Sequence, residues 1–188
     1  LDGKFVTYQL TNLSRDLSLL EALDQINENL IKNGERPINF DHDCREGICG
    51  SCGFVVNGQA HGPLQGTTIC QLYLRHFKDN QILTLEPFRA TAFPIIQDLV
   101  VDRSSFDRLI EAGGFYSIDA GEAPDSEKVY INSELAFSAF GAATCIGCGA
   151  CVASCRNNSA SLFVAAKLAH LGQLPQGESQ RGARARSM

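Results

Sequence analysis

The 188-residue chain contains no tryptophan and a single methionine. It has no long apolar run. Stretches such as 162–166 fall far short of the roughly 18 apolar residues that a membrane-spanning helix needs. No basic segment followed by an apolar one opens the chain, so no secretory leader is legible. Neither a Walker A motif nor a Gly-x-Gly-x-x-Gly dinucleotide signature is present. Positive charge is in the minority: 16 Lys and Arg stand against 21 Asp and Glu, a net charge of −5. That balance disfavours nucleic-acid binding. Disorder is excluded too, because hydrophobic residues make up 44% and charged residues 20%. The length fits one or two domains with a real core.

The charge is uneven. Residues 156–188 carry Arg156, Lys167, Arg181, Arg184 and Arg186 against Glu178, a net +4, which leaves −9 on the rest. A basic end of this kind can touch phospholipid headgroups or an acidic partner, or can be a solvated helix end.

What the sequence does have is cysteine, eight in two sets of four: Cys44, Cys49, Cys52 and Cys70, then Cys145, Cys148, Cys151 and Cys155. Disulfide frameworks belong mostly to small secreted domains, and the tight spacing speaks against them here. The first set reads C-x4-C-x2-C-x17-C. This is the plant-type ferredoxin spacing for a [2Fe–2S] cluster with a longer last gap. Gly47, Gly50 and Gly53 lie between and after the first three cysteines. Glycine lets the backbone approach closely and aim N–H groups at the sulfurs. Zinc is the competing reading of C-x2-C, but zinc sites usually pair such motifs, and Cys70 stands by itself.

The second set reads C-x2-C-x2-C-x3-C, the bacterial ferredoxin run. Small residues, Gly147, Gly149, Ala150 and Ala153, thin the loop enough to wrap a cubane. In two-cluster proteins the fourth cysteine of such a run serves the other cluster. Either one [4Fe–4S] cluster takes all four thiolates here, or Cys155 serves a further cluster whose other ligands lie outside this sequence. Arg156 stands where the ordinary run has proline.

Periodicity divides the rest. Residues 4–10 and 81–86 read as strands, the latter ending at Pro87. Ser18 and Glu21 form a capping box for a helix with Leu19, Leu20, Leu23, Ile26, Leu30 and Ile31 on one face and Gly34 as its stop. Asn57-Gly58 predicts a hairpin. Residues 99–114, 131–143 and 159–171 look helical, with Gly113-Gly114 as a stop, and 120–126 read as a polar loop. A small mixed β domain over 1–95 is therefore expected, followed by a helical domain over 96–188. The first strand of the β domain is expected to be missing, in keeping with a clipped start. His42, His61, His76 and His170 are expected to be structural or surface residues, and Asp41 and Asp43 to cap the loop.

Three segments, HDCREGICGSCGFVVNGQAHGP, TTICQLYLRHF and CIGCGACVASCRNNSASLFVAAK, together resemble the iron–sulfur subunit of the succinate dehydrogenase and fumarate reductase family, as does FPIIQDLVVDRSSFDRLIEAGG. The likeness spans nearly the whole chain. It implies an α+β fold: an N-terminal β-grasp plant-type ferredoxin domain, then an α-helical bacterial-ferredoxin-like domain. It implies Cys44, Cys49, Cys52 and Cys70 as [2Fe–2S] ligands. Cys145, Cys148 and Cys151 then match three [4Fe–4S] ligands, and Cys155 matches one ligand of a [3Fe–4S] cluster. The implied partners are an FAD-containing flavoprotein subunit and a membrane anchor subunit with two b haems. The anchor would pass electrons to quinone, menaquinone in the branch that the x17 gap and Arg156 resemble. The implied location is peripheral, on the cytoplasmic face of the bacterial inner membrane. The family's three distal cysteines and its quinone-site tryptophan are not in this sequence. The natural protein is accordingly expected to continue past Met188 with three more cysteines. The alternative is a free two-cluster electron carrier, or the iron–sulfur part of another soluble oxidoreductase.

Overall fold

In the computed structural model the described residues are 3–117, 121–122, 127, 132–174 and 179–188. They form a mixed helix-and-strand structure that separates into two compact units, Leu1–Phe88 with Ile95–Val101, and Arg89–Pro94 with Asp102–Met188.

The first unit is built around helix α1 (Leu19–Lys32) and strands β1 (Val55–Val56), β2 (Gln59–Ala60) and β3 (Leu85–Glu86). The capping box forms as expected. The Ser18 hydroxyl accepts from Glu21 N at 3.2 Å, and the Glu21 carboxylate accepts from Ser18 N at 2.7 Å. Leu19, Leu20, Leu23 and Leu30 are buried, and the helix stops at Asn33 with Gly34 in the left-handed region. Asn57 and Gly58 both have positive φ, +50° and +82°, as a tight two-residue hairpin turn requires. Antiparallel pairing sets Val55 opposite both Ala60 and Glu86, giving the order β2-β1-β3. Leu20, Leu23, Phe54, Val56, Ile69 and Leu72 form the core, and Cys52 and Cys70 are buried within it. A second antiparallel pair, β4 (Ile95–Gln97) and β5 (Val100–Val101), turns at Asp98. The Asp98 carboxylate accepts from Asn39 N and Arg36 Nη2, both at 2.9 Å.

The second unit contains α2 (Ser104–Leu109), whose end widens into a π-type turn over Ile110–Gly114. It also contains α3 (Ser133–Ala143), α4 (Ala150–Ser154), α5 (Ser161–Gln173) and α6 (Arg181–Ser187). Helix α3 runs along α5, and α5, α6 and the 110–114 turn pack together. The Phe106 ring meets Phe93 edge-on at 6.0 Å and Phe163 at 4.6 Å. Val152, Ala139 and Leu171 are buried too.

Three local expectations change. Residues 4–10 pair with no strand among the described residues, and Phe5 and Val6 are exposed. A strand-like segment joins a sheet only when a neighbour supplies hydrogen bonds. Within 81–86 only Leu85 and Glu86 pair with β1. Of 99–114, Val100 and Val101 form a strand, and the helix begins only at Ser104. Two successive β-branched valines suit a ladder better than a helix. The loop expected at 120–126 lies outside the described residues except for Gly121 and Glu122. No helix among the described residues is long and apolar enough to cross a membrane.

Candidate functional sites: two cysteine loops

The first loop leaves the core, turns back on itself and returns at Cys52. Arg45, Gly47 and Gly50 have positive φ, which coils the backbone inward. Its amides then point at sulfur. Glu46 N, Ile48 N and Cys49 N donate to Cys44 Sγ at 3.3, 3.5 and 3.4 Å, and Ser51 N donates to Cys49 Sγ at 3.4 Å. The Thr68 hydroxyl lies 3.2 Å from Cys70 Sγ.

The four thiols sit in two environments. Cys44 and Cys49 are half-buried, whereas Cys52 and Cys70 are buried. The amides of Glu46 and Ile48 pull the Cys44 thiol down to about 7. Burial pushes Cys52 up to about 11; the Cys70 backbone N–H opposes this and the Cys70 thiol adds to it. Negative charge arriving at this loop is therefore best stabilised on its Cys44 side.

Two contacts brace the loop. The Arg45 guanidinium grips the Asp24 carboxylate on α1 at 2.5 and 3.1 Å. Gln71 Nε2 donates to Arg45 O at 2.9 Å. Cys70 itself rides on a short helical turn, Ile69–Gln71. Backbone bonds from Leu19 N to Leu72 O and from Leu74 N to Leu17 O, each 2.8 Å, tie that stretch to the start of α1. A cysteine eighteen residues beyond Cys52 is brought back in this way.

The second loop ends in α4, which Gly149 opens with φ +82°. A Cβ there would stand 3.0 Å from the Phe93 ring, so only glycine fits both the conformation and the space. Burial raises the Cys148 thiol, and the Ala150 amide and the Arg103 charge oppose it. Burial also raises Cys151, with Cys148 and Cys145 adding repulsion. Cys155 differs: the backbone N–H groups of Ser159, Asn157 and Asn158 lower it. Two cations hold the loop's outer side. Lys167 Nζ donates to Cys145 O, and Arg103 Nη2 donates to Gly147 O, both at 2.7 Å.

The donor set is all thiol, cradled by N–H groups, which fits iron–sulfur clusters. Among the described residues no three His, Cys, Asp or Glu side chains draw close enough to share one metal ion. A [2Fe–2S] cluster takes two thiolates on each iron and a [4Fe–4S] cluster one, so neither needs three side chains on one ion. His61 is buried with its ring edge-on to Phe88 at 5.8 Å, His42 and His76 are exposed, and His170 is half-buried. Asp41 and Asp43 are exposed.

Sequence reasoning missed Asp24, Arg45, Arg103 and Lys167. For Lys167 a signal existed: it lies four residues from both Phe163 and Leu171, in the stripe that α5 buries. Arg184 was likewise read as part of a basic end. It is buried, and its guanidinium donates to Gly113 O and, at 2.8 Å, to Phe115 O.

Comparison with known proteins gives this geometry a class. The model of the family described as "2Fe-2S iron-sulfur cluster binding domain" matches residues 2–108, and the chain belongs to that family of iron–sulfur proteins. Its relatives are the iron–sulfur subunits of succinate dehydrogenase and fumarate reductase. The chain is 35% identical to the fumarate reductase iron-sulfur subunit of Wolinella succinogenes, over 68% of this chain and 51% of that one. It is 32% identical to the succinate dehydrogenase iron-sulfur subunit of Bacillus subtilis, over 79% and 56%. The Mycobacterium smegmatis Sdh1 complex in the apo form has a chain of similar fold. The TM-score is 0.57 at 20% identity, covering 76% of this chain and 54% of that one. The chain thus spans about half the length of the curated relatives it matches.

Proposed function

We propose that this chain is the electron-relaying part of a succinate dehydrogenase or fumarate reductase. It would carry electrons between the FAD of a flavoprotein subunit and the quinone or haem of a membrane anchor. The observation that carries this reading is the pair of thiol loops, one of each ferredoxin spacing, in a chain whose relatives are iron–sulfur subunits of these enzymes. An iron–sulfur cluster supplies a one-electron centre, and the protein supplies position and electrostatics.

Cys44, Cys49, Cys52 and Cys70 hold a [2Fe–2S] cluster in a β-grasp domain over 1–95. The amides on Cys44 and Cys49 stabilise the added electron there. Cys145, Cys148 and Cys151 hold a [4Fe–4S] cluster in the helical domain over 96–188, and Cys155 contributes to a [3Fe–4S] cluster. Support for separating Cys155 comes from its surroundings. Cys145 and Cys148 act on the ionisation of Cys151, whereas Cys155 responds to its own backbone turn. The chain is peripheral to the cytoplasmic face of the inner membrane, and a di-haem anchor working with menaquinone holds it there. Exposed Leu135, Phe137 and Phe140 on α3 and Ile48 beside Cys49 fit a subunit that buries apolar surface in an assembly.

The test is purification of the natural complex, with mass spectrometry of its subunits and EPR of the reduced protein. A flavoprotein and an anchor should co-purify, with three distinct cluster signals. A colourless protein, or a brown one that stays partnerless, overturns the reading.

A further inference from the structure

We infer that Lys167 and Arg103 set the reduction potential of the centre held by Cys145, Cys148 and Cys151, acting as positioning cations on the back of its loop. The inference rests on the proposed function and goes a step beyond it.

The argument begins with the carbonyls. A loop whose amides turn toward thiolates turns some carbonyls outward, and those need donors. Water or a neutral side chain would do for a half-exposed loop. Instead Cys145 O and Gly147 O, two residues apart, each take a charged donor at 2.7 Å. Neither donor is a loose surface cation. Lys167 rises from the face of α5 that carries buried Phe163 and Leu171. Lys167 is half-buried, and holding an ammonium group partly out of water costs free energy that a neutral donor would avoid. Among the described residues no carboxylate forms an ion pair with Lys167. No described carboxylate therefore offsets its charge, which is one of those that, after burial, lower the ionisation of His170. Arg103 is half-buried, with its guanidinium carbon 5.4 Å from the centre of the Phe106 ring.

Reduction adds one negative charge to the centre. Fixed cations behind the ligand loop favour the reduced form and raise its potential. A brace that served the fold alone would need only the hydrogen bonds.

Potentiometric EPR titration of the intact complex separates these roles. Lys167→Gln keeps a donor and loses the charge; Lys167→Arg keeps both. The expected result is a more negative midpoint for the second-loop cluster in Lys167→Gln, a midpoint near the unaltered one in Lys167→Arg, and no change in the first-loop cluster. Unaltered potential in a Lys167→Gln protein with its cluster intact overturns the inference. So does Lys167→Arg shifting as far as Lys167→Gln. If Lys167→Gln fails to assemble the cluster, Arg103→Gln is read by the same rule: a more negative midpoint upholds the inference, and an unchanged one overturns it. Absence of any second-loop cluster from the unaltered complex overturns the proposed function itself, and the inference with it.

Discussion

Cys49 illustrates what a single residue does here. Its backbone N–H donates to Cys44 Sγ, and its own sulfur accepts from Ser51 N, so this proposed ligand also organises the first loop. Cys49→Ser should remove or severely disturb the [2Fe–2S] signal while the second-loop signals persist, because the two sets of thiols lie in separate units. EPR of the reduced variant decides it, and a normal [2Fe–2S] spectrum would show the ligand assignment to be wrong. Asp98 is a second case. Partial burial raises its carboxyl, but the Asn39 amide, Arg36 and the Asn39 side chain outweigh this and leave it below the ordinary value. A depressed folded value stabilises the fold above pH ~4, and that contribution fades as acid protonates the carboxylate. Asp98→Asn should cost about 1 kcal/mol at neutral pH. The gap between variant and parent should close in urea melts run toward pH 3 and below; a gap that stays constant with pH would remove the charge from the explanation.

At the scale of elements, α1 is the piece on which the first site depends. It presents Asp24 to Arg45, its start is tied to the stretch bearing Cys70, and its apolar face packs into the core around Cys52. Its N-terminus is fixed by the reciprocal Ser18–Glu21 bonds. Ser18→Ala breaks one of them and should cost roughly 1 kcal/mol. Since Ser18 is 4% exposed, water cannot easily replace the lost partner. A lowered midpoint of thermal unfolding, with cluster signals unchanged at low temperature, is the expected outcome. An undisturbed midpoint would mean that packing alone sets where α1 begins. In the second unit α5 plays the corresponding part, burying Phe163 and Leu171 while it delivers Lys167 to Cys145 O.

For the whole molecule, the composition of the sites limits what the chain can do by itself. Thiols and backbone amides can hold and tune one-electron centres. Oxidising succinate needs a hydride acceptor, which the proposed function assigns to the flavin of a partner subunit. The purified chain, with its clusters reconstituted, should therefore show no succinate oxidation with an artificial acceptor. Turnover by the chain alone would overturn the relay reading.

The sequence by itself determined the local features. The Cys spacings, the capping box, the Asn57-Gly58 turn and the long helices 19–32 and 161–173 each depend on residues within a few positions of one another. Short-range stereochemistry suffices to specify them. Tertiary structure decided what depends on distant partners. Residues 4–10 read as a strand yet pair with none of the described strands, whereas Val100 and Val101, read as helix, find one in Ile95–Gln97. Arg184, counted as a surface charge, is consumed by two carbonyls some seventy residues away. The return of Cys70 to its loop, the grip of Asp24 on Arg45 and the two cations behind the second loop are all contacts across long stretches of chain. Residue type and spacing carry the ligands, but only packing specifies which charges stand behind them.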